Sequence, residues 1–146
     1  MDKNNLFTVL IGTIIILIIV IAISVTTKNN IDLNKVNNMY QDISKLEESI
    51  DIYYLNNGIL PTVNQVNDVD FKYINPNDGE EYYDIDLSKI QNIKLYYGEK
   101  KDGDDDRYII NEKSQTIYYL KGVKYKNMKI YSPEKDYRLI NLEKYQ

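Results

Sequence analysis

The run Asp102-Gly103-Asp104-Asp105-Asp106 is the stretch whose residue types and spacing come closest to doing chemistry. Calcium takes about six to eight oxygen ligands, and carboxylates alternating at Asp102, Asp104 and Asp106 would supply several of them. As an EF-hand the run fails. Counted from Asp102, the sixth position is Arg107 where a Gly makes the sharp turn, and the twelfth is Lys113 where a bidentate Glu closes the site. The expectation is therefore a solvated acidic loop over residues 100–106, with no metal ligand assigned. Glu47-Glu48 and Glu80-Glu81 are adjacent pairs whose side chains diverge, which suits exposed charge better than proton transfer. Tyr and Lys alternate through residues 118–131, and half-buried strand pairing accounts for them better than a binding face does. The chain has neither His nor Cys. That removes Ser-His and Cys-His nucleophile pairs, His/Cys zinc sites, the usual neutral-pH proton shuttle and any disulfide. No phosphate loop is present, so no catalytic residue and no cofactor are assigned, and the expectation is a protein that is not an enzyme.

The elements that would position such groups begin with residues 6–25, LFTVLIGTIIILIIVIAISV, which carry no charge. At about 1.5 Å of rise per residue they match the roughly 30 Å hydrocarbon core of a bilayer, so they read as a transmembrane helix in contact with lipid. The run is longer than the ~7–15 residue apolar region of a removable signal, and Ala22-Ile23-Ser24 lies too deep within it to be a cleavage site. Small residues such as Gly12 would let a neighbouring helix approach closely. Residues 1–5 then form a short tail expected inside the cell. Lys3 and the terminal amine precede the span, Asp2 offsets them, and Lys28 follows, so loop charge barely discriminates orientation. A short tail with the whole polar domain on the other side fits N-in, C-out, in a cell membrane crossed once.

From residue 31 the pattern becomes a helical stripe: Leu33, Val36, Tyr40, Ile43, Leu46, Ile50 and Tyr53, with Asp42, Lys45, Glu48 and Asp51 between them. Asn57-Gly58 is the expected end, with Pro61 beyond it. Neither Pro nor Gly interrupts residues 26–57, so span and stripe read as one helix of about 50 residues. Residues 26–58 are the expected amphipathic stalk and 59–146 an outer, β-rich head. Within the head, Asn75-Pro76-Asn77-Asp78-Gly79 reads as a turn and Lys94-Leu95-Tyr96-Tyr97 as a strand. Residues 107–111 and 116–120 read as a hairpin around a four-residue loop, and residues 123–125 and 128–131 as a second strand pair. Residues 29–146 carry 16 of the 18 basic and 21 of the 22 acidic side chains, a net of −5 that argues against nucleic acid. Fifteen tyrosines against two phenylalanines and no tryptophan suit a thin core with wet edges, although a nucleotide bias in the source would also enrich Tyr. The fold class is α+β, a long N-terminal helix packed on a small antiparallel sheet.

These residues carry a resemblance. Phe7-Thr8-Val9-Leu10 looks like the Phe-Thr-Leu-Ile start of mature type IV pilins and type II secretion pseudopilins. Asp51-Ile52-Tyr53-Tyr54-Leu55-Asn56-Asn57-Gly58-Ile59-Leu60-Pro61-Thr62 is similar to that family's Tyr-x-x-x-Asn-Gly-x-x-Pro-Thr helix end. Asp106-Arg107-Tyr108-Ile109-Ile110 and Thr116-Ile117-Tyr118-Tyr119-Leu120-Lys121-Gly122 resemble the hairpin of pilin-like proteins of low-GC Gram-positive bacteria. The resemblance implies a helical stalk with a small head, contact with other pilin-like subunits through the N-terminal helix, and a minor or accessory place in a type IV pilus, competence or type II secretion-like system. Some pseudopilins hold calcium in a head loop. Two family marks are missing: Leu6 stands where the prepilin peptidase needs Gly, and Ile11 stands at the fifth mature position where the family has Glu. The alternative is an unrelated single-pass surface protein whose head binds a ligand.

Overall fold

The computed structural model describes residues 3–67, 69 and 80–133, with side chains at residue 11 and from residue 13 onward. One helix, α1, runs unbroken from Lys3 to Asn57. Residues 3–5, expected in a separate tail, are already helical, because nothing before the apolar run breaks the backbone pattern. The helix stops where expected. Gly58 takes φ +73° and donates its N–H to the Tyr54 carbonyl at 2.7 Å, a left-handed C-terminal cap.

Six strands follow: β1 Thr62–Gln65, β2 Tyr82–Ile85, β3 Tyr108–Asn111, β4 Ile117–Tyr119, β5 Val123–Tyr125 and β6 Met128–Ile130. The first four form an antiparallel sheet in chain order, and β5 and β6 form a hairpin. The Tyr119 N–H donates to the Tyr131 carbonyl at 2.8 Å, tying the hairpin to the edge of the larger sheet. The β3–β4 hairpin and the β5–β6 pair lie where alternation places them, and residues 112–115 form the loop between Asn111 and Thr116. The turn expected at residues 75–79 lies outside the described residues.

Packing divides α1 into two regimes. Among its described residues before Val25 the apolar side chains are exposed on every side, with Ile16 at 62 % and Ile21 at 62 %, so the fold offers them no cover. By length and composition this part can cross a membrane. Ser24, Thr26 and Thr27 donate their hydroxyls to the carbonyls of Val20, Ala22 and Ile23, so these polar tips are satisfied within the helix itself. Beyond residue 32, Val36, Met39, Ile43, Leu46 and Ile50 are buried against Ile110 and Ile117 of the sheet and Val123, Tyr125 and Ile130 of the hairpin. On the opposite face of β3 and β4, Ile109 and Tyr118 are buried with Tyr82 and Tyr131. The sheet is thus covered on both faces at β3 and β4, and all four residues of β3 are buried. The result is an α+β fold in which one helix carries both an uncovered apolar stretch, long and apolar enough to cross a membrane, and a core element.

Candidate functional site

The expected strand at residues 94–97 is absent, and the cause lies on the helix. Asp42 falls one turn from Met39 and one turn from Leu46, so it shares the buried face and is itself fully buried. Its carboxylate accepts the Tyr96 N–H at 2.9 and 3.0 Å, the Tyr97 N–H at 2.9 Å and the Tyr108 hydroxyl at 2.8 Å. Two N–H groups that would have joined a strand ladder therefore end on a side chain 54 and 55 residues earlier. Lys45 adds a tie on the outside, donating to the Lys94 carbonyl at 3.1 Å with its ammonium 5.5 Å from the centre of the Tyr96 ring.

The acidic loop is organised the same way. Asp106 is not solvated. It is 4 % exposed, and all its acceptor capacity is in use. Oδ1 accepts the Gly98 N–H at 2.7 Å and the Tyr119 hydroxyl at 2.7 Å, while Oδ2 accepts the N–H groups of Lys101 and Asp102 at 3.0 and 3.2 Å. Asp102, Asp104 and Asp105 remain exposed, and Asp102 pairs with Lys121 at 2.6 Å. The three carboxylates considered for calcium are therefore divided, one turned inward onto backbone and two outward. Among the described residues no group of three or more His, Cys, Asp or Glu is placed to hold a metal ion.

A tyrosine stack joins Asp42 to Asp106. The Tyr97 and Tyr119 rings lie 5.3 Å apart and nearly parallel, and Tyr108 and Tyr119 lie 5.1 Å apart. Burial pushes the Tyr108 hydroxyl far above its usual range, and the neighbouring Asp42 charge adds to it. Burial does the same to Tyr119, with the Asp106 hydrogen bond second. For Asp106 burial alone would raise the pKa, but the bonds from Gly98, Tyr119, Asp102 and Lys101 outweigh it and hold the carboxyl below its ordinary value. Tyrosines kept protonated beside an ionised, saturated acceptor fix geometry rather than exchange protons. Gly98 is where the chain passes over the stack: at φ +90°, a Cβ there would lie 2.4 Å from the Tyr108 ring.

Sequence reasoning placed Asp42 among the solvent-facing charges and missed Met39. The one available signal was spacing, since residues 39, 43, 46 and 50 set a face to which residue 42 also belongs. Glu80 and Glu81 accept the hydroxyls of Tyr82 and Tyr83 respectively, two separate contacts rather than one acidic pair.

Comparison of the chain with protein-family models, curated proteins and solved structures gives no match, so the class is defined by the chain's own geometry: an α+β head built on a long helix with an apolar N-terminal stretch and stapled by buried carboxylates.

Proposed function

We propose that this chain is a non-catalytic, membrane-anchored, pilin-like protein, a minor or accessory component of a type IV pilus, competence or type II secretion-like system. The observation that supports it is the unbroken helix whose described apolar side chains before Val25 are bare on all sides and whose second half supplies a one-sided stripe to an antiparallel sheet. Its residues 6–25 contact lipid, with the N-terminus inside and the head outside. Leu6 in place of the cleavage Gly and Ile11 in place of the fifth-position Glu count against a repeating filament subunit. An uncut N-terminus would carry Asp2 and Lys3 into a packed helical core, where unpaired charge costs several kcal/mol, of order ~3–5.

Those two departures equally favour a single-pass surface protein that belongs to no filament. Sheared filaments and membranes from cells making the protein, probed for the head, separate these readings. Retention in membranes with trace amounts in filaments supports an accessory subunit, and complete absence from filaments favours the free surface protein. An amount in filaments near that of a major subunit refutes both. Impermeant lysine labelling of intact cells tests orientation. Modification of Lys121 and Lys124 with protection of Lys3 is expected, and the reverse pattern would refute it.

A further inference from the structure

Where the apolar run ends, the head bends back over the helix. Val25, Lys28, Asn29, Asp32 and Lys35 of α1 and Lys124, Lys126 and Asn127 of the β5–β6 hairpin line one cleft of about 480 Å³. Residues 28, 32 and 35 follow the four-then-three spacing that shares a helix face. Four lysines face one aspartate there, in a head whose net charge is −5. None of the four makes an ion pair among the described residues. Lys129, directly opposite Lys124 in the hairpin register and exposed, adds a fifth cation beside the cleft.

The position decides what such a cleft meets. Lys28 lies three residues beyond Val25, about 4.5 Å along the axis, within the roughly 5–7 Å headgroup layer of one leaflet. Side chains on a helix lean toward its N-terminus, so Lys35, farther up, leans back toward the apolar end. The hairpin tip shares the cleft with Val25, which brings Lys126 down to the same level. Four cations against the single carboxylate of Asp32 leave the cleft net positive, and an arrangement of this kind is stabilised when a further anion sits among them.

We propose that this cleft binds the phosphate of anionic phospholipid headgroups in the bilayer that residues 6–25 cross, seating the base of the head on the membrane surface. The inference rests on the anchoring reading above. Each lysine within a Debye length of an anionic surface favours the seated state by roughly fivefold. Because the chain lacks Cys, Asn127→Cys gives a single labelling position at the tip. A fluorophore there is followed in nanodiscs holding one copy of the full chain, with a quencher on the lipid headgroups. Quenching is expected to rise when about a third of the phosphatidylcholine is replaced by phosphatidylglycerol, and to fall with added salt. Lys124→Gln with Lys126→Gln is expected to remove most of that rise, whereas Lys113→Gln, in the β3–β4 loop, leaves it unchanged.

Equal quenching in both lipids, in a chain that resists alkaline extraction, overturns the cleft and leaves the anchor standing. A chain that alkali extracts overturns both. Inorganic phosphate producing the same shift in pure phosphatidylcholine assigns the cleft to a soluble anion and overturns the lipid. Shielding of the label that appears only with two copies per disc assigns this face to a second copy of the chain and also overturns it.

Discussion

Replacing Asp42 by Ala tests the reasoning about the buried staple most sharply. The change strands three donors, the part-buried N–H groups of Tyr96 and Tyr97 and the fully buried hydroxyl of Tyr108, around a carboxylate that is itself fully buried. A buried donor left without an acceptor costs about 1–3 kcal/mol, so the expected loss is on the order of 3–5 kcal/mol after partial relaxation. That is a large part of the roughly 5–15 kcal/mol that holds a typical domain together, and for a head of this size it corresponds to about 20 °C in Tm. Urea titration of the full chain in detergent, read by near-ultraviolet circular dichroism of the tyrosines, measures it. Asp51→Ala, exposed on the same helix, is the matched control and is expected to stay within about 0.5 kcal/mol of the parent. Pairing Asp42→Ala with Tyr108→Phe removes one of the stranded donors, so part of the penalty, about 1 kcal/mol, is expected to return. A loss below about 1 kcal/mol for Asp42→Ala, or no recovery in the pair, would refute the view that this carboxylate replaces a strand partner.

Four further outcomes follow from the same geometry. Gly98→Ala, whose Cβ would strike the Tyr108 ring at positive φ, is expected to cost about 2–4 kcal/mol in the urea titration, whereas Gly58→Ala, also at positive φ but with open space around it, costs about 1. Ile43→Asp or Leu46→Asp buries an unpaired charge and is expected to lower Tm by tens of degrees, and Lys45→Asp, exposed, by only a few; equal shifts would mean the wrong face has been assigned. In pH, the depressed carboxyl of Asp106 gives stability that is present above its unfolded value and lost as pH falls below about 4, while the raised hydroxyls of Tyr108, Tyr119 and Tyr82, the last pushed up to about 12, give stability that is lost as pH rises beyond about 10, so Tm against pH should fall at both limits. Millimolar calcium is expected to leave Tm unchanged, since Asp106 has no free lone pair to offer; a rise abolished by Asp104→Ala would overturn this.

Periodicity made the long elements legible. The stripe from Val36 to Ile50, the stop at Gly58 and the two hairpins beyond residue 107 all follow from local spacing and turn chemistry, because each is decided by residues a few positions apart. The staple was not legible for the opposite reason. Whether an Asp on a helix is solvated or buried depends on which donors arrive from elsewhere, and those of Tyr96 and Tyr97 arrive across more than fifty residues. The same distance hid the loss of the strand at residues 94–97. Strands β1 and β2 were missed differently: β1 is mostly exposed and irregular in register, and Tyr82–Ile85 lacks the alternation that marks a half-buried strand. In the acidic loop, composition correctly placed Asp102, Asp104 and Asp105 in solvent but could not single out Asp106, since the two residues before it are also Asp.

The continuity of α1 also has a mechanical meaning. Thirty-two residues separate Val25 from Asn57 with no Gly or Pro among them, a strut of about 48 Å with no joint. Helices that cross bilayers lean by about 20° on average, and a lean of that size would carry the far end of this strut sideways by about 16 Å. The head, clamped along the strut rather than hung from a tether, would swing with it. With residues 6–25 in a bilayer as proposed, bilayer thickness would bias that lean and so act as a steering input to whatever the far surface of the head touches.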